Sequence, residues 1–252
     1  MRDEVVLITG GSGGIGLATA HAFARRGAQV ILTARDEERL DRAARAIGQG
    51  ASWIAADVTE EASLAALAEQ VAQRTGHVDV LLNSAGQLTL GPGEASSDIA
   101  EQLMRVNYLG PVRTIARILP LIRKGSRKSI VNLSSFAGRL TPPFWSAYSA
   151  SKHALQSYSN ALRQELRAEG IHVGIVMPGP VLSPMTEDLL GSTMYPLPIG
   201  IPVIRPEQVS DAIVRTVLSR RKEVTVPGRF GAMLRLAGAF PRAVDLVYRF
   251  VK

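Results

Sequence analysis

The chain has 252 residues, of which 46% are hydrophobic and 20% charged, with 23 glycines and 14 prolines; this balance excludes a disordered, collagen-like or low-complexity protein. It has no cysteine, so disulfide scaffolds, thiolate metal sites and cysteine nucleophiles are excluded together, and its four histidines (His21, His77, His153, His172) have no metal-site spacing. The formal net charge is +7, with basic clusters in RKGSRK at 123–128 and in the segment 229–252, neither carrying a nucleic-acid motif. The clusters read as solvated faces or as patches for an anionic membrane or an acidic partner, and no nucleic acid is expected. No apolar run reaches the roughly 18 residues of a membrane span. The start MRDEVVLITGG is acidic and strand-like, which does not read as a leader peptide, so a cytoplasmic setting is expected.

In chain order, strands are expected at 5–9, 29–34, 52–56, 78–83, 129–134, 172–177 and 224–226, and helices at 14–26, 37–47, 60–75, 98–122, 146–168 and 206–220. Near-continuous apolar strands alternating with helices predict an α/β fold, a single Rossmann-type domain with a doubly wound, seven-stranded parallel sheet covered on both faces. In such sheets, ligands bind beyond the carboxyl ends of the strands.

The first strand runs into Thr9-Gly10-Gly11-Ser12-Gly13-Gly14-Ile15-Gly16 and then a helix. Glycines there allow a tight turn and close approach of a pyrophosphate, while the helix start supplies free N–H groups and a positive dipole end. A carboxylate at the end of the second strand would hold the ribose of NAD(H), but Ala34 stands there and Arg35 follows. A guanidinium pairs with a 2′-phosphate, so NADP(H) is expected as cofactor ahead of NAD(H). Asp36 reads as a helix N-cap in preference to a ribose ligand.

Tyr148 and Lys152 are four residues apart, hence on one face of a helix, with the ammonium expected beside the phenol and lowering its pKa. A tyrosine so tuned exchanges a proton with a carbonyl or alcohol oxygen, and Ser135, at the end of the fifth strand, donates to the same oxygen.

These pieces, with Asp57-Val58, Asn83-Ser84-Ala85-Gly86, Asn107 and Pro178-Gly179, resemble the short-chain dehydrogenase/reductase family over about residues 4–226. The resemblance implies that Asp57 and Val58 border the adenine, although Asp57 also suits a helix N-cap before TEEASL. It implies that Asn83, Ala85 and Gly86 line the cofactor path, with Ser84 replacing a second asparagine. Lys152 would also hold the nicotinamide ribose, and Asn107 would continue a water chain from it. Pro178, Gly179, Val181 and Ser183 would form the turn gripping the carboxamide, with Ser183 in the place of a threonine. A homo-oligomer, dimer or tetramer, is implied as well.

Residues 184–205 fall where the family carries its substrate lid. Their Met, Leu, Ile and Pro, with Phe144 and Trp145, point to an apolar pocket for a ketone or aldehyde, steroid- or retinoid-like, as the small-molecule substrate. The domain division expected is 1–228 for the catalytic unit and 229–252 for a basic amphipathic extension. Its last helix begins at Pro241, with Arg242, Asp245, Arg249 and Lys252 on one face and Val244, Val247, Tyr248 and Val251 on another. The extension departs from the 3-ketoacyl-carrier-protein reductase pattern; it covers its own domain, a second subunit or, as peripheral membrane contact, a lipid surface. The function expected is therefore NADP(H)-dependent hydride transfer at a carbonyl or secondary alcohol. A carrier-protein-linked reductase and a catalytically silent nucleotide-binding sensor or scaffold are the alternatives; a related epimerase or dehydratase would need a further domain.

Overall fold

The computed structural model describes residues 1–93, 97–187 and 201–239. Strands β1 (Val5–Thr9), β2 (Gln29–Ala34), β3 (Ala51–Ala55), β4 (Val80–Asn83), β5 (Ser129–Leu133), β6 (His172–Pro178) and β7 (Glu223–Val226) make one parallel sheet, ordered β3-β2-β1-β4-β5-β6-β7. Between them run α1 (Gly14–Ala24), α2 (Glu37–Ile47), α3 (Glu61–Thr75), α4 (Ser97–Met104), α5 (Gly110–Lys124), α6 (Ser146–Glu165) and α7 (Pro206–Leu218), with α8 (Gly231–Ala239) after β7. The fold class is the one expected from the alternation of apolar strands with helices.

The period-2 geometry of a strand explains the two cores. Val6 and Ile8 of β1, with Val30 and Leu32 of β2, pack in one layer with Phe23 of α1 and Ile213 of α7. Val5 and Leu7, with Ile31, pack in the other with Leu64 and Leu67 of α3 and Ile118 of α5. Both faces are apolar because both are covered. The strand order reverses between β1 and β4, so a crevice opens beyond Thr9 and Asn83, which are register partners.

The helix expected over 98–122 is interrupted. After α4 the chain makes a π-helical turn at Arg105–Leu109, in which the Gly110 N–H reaches back five residues to the Arg105 carbonyl, before α5 resumes. Pro111 has no N–H to offer the Asn107 carbonyl, so the ladder of i−4 bonds cannot continue through it. Gly110 fits because a Cβ there would stand 2.9 Å from Val58 Cγ2. Asp36 caps α2, its Oδ1 accepting from the Arg39 N–H at 2.9 Å. Asp57 does not cap α3, whose N-cap is Glu60; its carboxylate instead accepts from the N–H and hydroxyl of Thr59, each at 2.8 Å.

Just beyond the expected boundary at 228/229, Phe230 and Leu234 join a buried cluster containing Phe136 and Met177. Residues 240–252, with the amphipathic helix expected there, lie outside the described residues, as do 188–200 of the expected lid.

Candidate active site

A cleft of about 580 Å³ runs beyond the carboxyl ends of the strands, from the α2 side to the β6 side. At one end its floor is the turn between β1 and α1. Gly10 (φ +68°) and Gly14 (φ +51°) occupy the left-handed region. A Cβ on Gly10 would stand 2.8 Å from the Ala85 nitrogen, and one on Gly16 2.2 Å from the Gly10 carbonyl oxygen, so both positions are closed to side chains. The N-terminus of α1 has no side-chain cap, and Ser12, Gly13, Gly14 and Ile15 all line the cleft. The free N–H groups and the helix dipole therefore face it.

The same end is lined by Arg35, Asp57 and Val58 and by a residue the sequence reading missed, Arg39. The guanidinium of Arg39 lies 2.9 Å from where a Gly13 Cβ would be, which brings it across the glycine turn. The signal was present in the Asp36 cap, which sets Arg39 in the first turn of α2, four residues after Arg35.

At the other end Ser135, Tyr148 and Lys152 line the cleft together, with Pro178, Gly179, Val181 and Ser183 on the facing turn. Tyr148 and Lys152 are buried on α6, the Lys152 Nζ lying 5.8 Å from the phenol ring centroid and donating to the Leu133 carbonyl at 3.2 Å. Burial pushes the phenol up to about 12, with the hydrogen-bonded Ser135 hydroxyl pulling weakly the other way. Burial also brings the Lys152 ammonium down to about 8. This corrects the expectation that the tyrosine is held low: burial of the phenol is the largest cause of its shift and raises it. Trp145 meets Tyr148 edge-on, ring centroids 5.8 Å apart.

Thr9, Gly16, Asn83 and Asn107 sit behind the cleft wall rather than at it. The Thr9 hydroxyl accepts from the Ser84 and Ala85 N–H groups, each at 3.1 Å, and so pins the loop after β4 to the end of β1. Asn83 Nδ2 donates to Asn132 Oδ1 at 2.8 Å, and Asn132 donates to Ser159 at 2.8 Å, tying β4, β5 and α6 through a buried polar chain. The π turn directs Asn107 inward, where Oδ1 accepts from the Gln87 N–H at 2.8 Å and Nδ2 donates to the Gln87 carbonyl at 2.9 Å and to Ser151 at 3.1 Å. Asn107 thus braces the segment after Gly86, beside Lys152. Gln156, which the sequence reading did not single out, donates to the Ser134 hydroxyl at 3.0 Å and the Ser135 carbonyl at 3.4 Å. Among the described residues no group of acids and histidines could hold a metal ion, and no helix is long and apolar enough to cross a membrane.

A family model described as short chain dehydrogenase matches residues 4–192. The Dehydrogenase/reductase SDR family member 7B of Danio rerio is 32% identical over 242 residues, which cover 90% of this chain and 78% of that protein. Its namesake in Bos taurus is 35% identical over 189 residues, 71% of this chain and 58% of that protein, so the chain spans little more than half of that relative's length. An uncharacterized oxidoreductase of Mycobacterium tuberculosis is 34% identical over 258 aligned residues, 97% of this chain and 72% of that protein. A solved structure described as a short chain dehydrogenase/reductase family protein superposes with a TM-score of 0.79 at 31% identity, covering 89% of this chain and 95% of the other. Sheet order, glycine turn and these matches agree, and the chain belongs to the short chain dehydrogenase family, oxidoreductases that use a nicotinamide cofactor at a CH–OH or C=O group.

Proposed function

We propose that the protein is an NADP(H)-dependent reductase or dehydrogenase of an apolar carbonyl or secondary alcohol. The observation that carries it is the meeting of Ser135, Tyr148 and Lys152 at one end of a cleft whose other end is a glycine turn flanked by guanidinium groups. The cofactor fits that cleft on structural grounds. Gly10 admits no side chain, the α1 N-terminus is uncapped, and the half-buried Asp57 carboxylate borders the far end. Bound there, the nicotinamide supplies or accepts the hydride.

This chain's residues do the rest. N–H groups of the glycine turn hold the pyrophosphate, with Ser12, Gly13, Gly14 and Ile15 nearest. Arg35 and Arg39 pair with a 2′-phosphate, which favours NADP(H) over NAD(H). Asp57 and Val58 border the adenine, Ala85 and Gly86 the middle of the path, and Pro178, Gly179, Val181 and Ser183 the carboxamide; Lys152 holds the ribose. Tyr148, with its pKa pushed up to about 12, is a full proton donor at neutral pH, which suits the reduction of a carbonyl. Ser135 steadies the substrate oxygen. Leu88, Leu140, Pro142, Trp145 and Met185 line the substrate end and support an apolar substrate.

The test is turnover of apolar ketones and aldehydes with NADPH and NADH side by side, in wild type and Tyr148→Phe. The expected result is faster reduction with NADPH. Tyr148→Phe should bind NADPH as tightly but lose turnover by at least about 10²-fold, the usual worth of a positioned general acid. A Tyr148→Phe protein that still turns over removes the assignment.

A further inference from the structure

The wall at the substrate end is one residue thick and rests on the C-terminal segment. Phe136, next to Ser135 in the chain, and Leu140 both face the cleft, and both are buried. Behind them lie Met177 of β6, Ile201 and Leu234, the last with no exposed surface, and Phe230 packs against the same group. The rings of Phe136 and Phe230 meet edge-on, with centroids 6.0 Å apart, and the Arg229 guanidinium covers Phe230 at 5.1 Å.

The packing has little slack. A Cβ on Gly231, the first residue of α8, would stand 2.8 Å from Thr225 Oγ1, so α8 sits directly against β7. On the other side of Phe136, a Cβ on Gly179 would stand 3.1 Å from Ile201 Cγ2 and 3.4 Å from the Phe136 ring. The segment after Ser135, the turn at Gly179 and the C-terminal segment therefore converge on one phenyl ring. Of the large apolar residues on α8, Met233 and Leu236 are exposed while Leu234 is fully buried. Among the described side chains of α8, Leu234 makes this contact.

We propose that Phe230 and Leu234 are specificity-determining residues, which set the depth of the substrate end of the cleft by holding Phe136 and Leu140 from behind. They touch neither substrate nor cofactor; they position the residues that do. The segment from Phe230 to Leu234 belongs to the pocket rather than to a separate appendage. Removing volume at Leu234 lets Phe136 and Leu140 retreat, which lengthens the pocket without touching the glycine turn or Lys152. This rests on the carbonyl-reductase reading for the kind of ligand used.

The experiment uses a Trp53→Phe background, which leaves Trp145 in the cleft wall as the sole tryptophan. Methyl n-alkyl ketones of rising chain length are titrated against Trp145 fluorescence, without and with NADPH, and turnover is followed in parallel. In Leu234→Ala the preferred chain length should move upward, and the ratio of affinities for long and short ketones should rise about tenfold, the scale of a changed apolar pocket. The NADPH dissociation constant should not change. Phe230→Leu, a milder substitution, should move the preference the same way, and Leu234→Met, which conserves volume, should keep the wild-type preference. If the variants change affinity for every ketone by one factor, or change it for none, the proposal is overturned. If wild type binds ketones without reducing them, the reductase reading fails while the fluorescence ratio still decides the role of Leu234.

Discussion

At the scale of single residues, the proposed function makes Lys152 the titrating group to follow near neutrality. Burial holds its ammonium at about 8, some way below a lysine in water, whereas the Tyr148 phenol at about 12 does not ionise in the working range. The second-order constant for NADPH reports groups of the free enzyme. It should be flat below neutrality and fall as pH rises through about 8, where Lys152 loses its charge. In Lys152→Arg the guanidinium stays charged, so that alkaline limb should disappear even if overall activity drops. A falling limb that survives in Lys152→Arg would assign it to another group. The i, i+4 spacing of Tyr148 and Lys152 was legible in the sequence, because four residues on a helix face have a fixed geometry. The direction of the tyrosine shift was not. Burial of Tyr148 is contributed by Leu103, Ala137 and Trp145, and this desolvation has no signature in the YSASK motif itself.

At the scale of elements, the parallel sheet and the cap at Asp36 followed from local patterns: β-branched runs, alternation and an aspartate before an amphipathic stretch. The π turn did not, since a proline one residue into a resumed helix reads as ordinary; the ladder slips because Pro111 has no N–H for the Asn107 carbonyl, and Gly110 fits the slip by packing on Val58. The slip has a consequence for Asn107. Restoring an N–H with Pro111→Ala offers the Asn107 carbonyl a partner, so the helix can regain regular i−4 bonding. One residue of register is about 100° of rotation, which would carry the Asn107 side chain away from Gln87 and Ser151. Pro111→Ala should therefore unfold no more easily than wild type while turnover falls on the order of 10- to 10²-fold, the usual cost of misplacing a positioned segment. Denaturant titration and steady-state rates together check this; unchanged turnover would show that the π turn is not needed to hold Asn107. The C-terminal contact was equally hidden from sequence, because Leu234 joins the cluster of Phe136 across nearly a hundred residues of chain.

At the scale of the whole molecule, the sheet has a chemical end and a structural end. The carboxyl ends of the strands carry the cleft, while the amino ends carry two buried polar knots that bind the segments together. In one, the Asp79 carboxylate accepts from the N–H groups of Val5 at 2.8 Å and Ser126 at 2.6 Å, joining the starts of β1 and β4 to the loop before β5. Burial opposes its charge, but the hydrogen bonds from Val5, Ser126 and Arg127 prevail and hold its pKa below the ordinary value. In the other, His172 lies between Ser129, at 2.8 Å from Nδ1, and the Arg221 carbonyl, at 2.8 Å from Nε2. Burial lowers its pKa, the Arg221 carbonyl pulls the other way, and the Arg220 and Arg163 charges add to the lowering. The two knots fail on acidification in sequence. Below the ordinary histidine value near 6.5 the unfolded chain takes up a proton that the folded His172 still refuses, so stability falls as pH falls from there to the lowered folded value. The Asp79 contribution persists through this window and is lost only below the ordinary carboxylate range, as pH falls through its own depressed value. Unfolding free energy from urea titrations should therefore decline between pH 7 and 5.5, and His172→Gln, which cannot titrate, should flatten that slope while lowering the plateau through imperfect bonds to Ser129 and Arg221. Asp79→Asn should lower stability throughout, because a neutral amide accepts those N–H groups less strongly and brings donors of its own into a site built of donors. An unchanged slope in His172→Gln would move the origin of the acid sensitivity away from the amino end of β6.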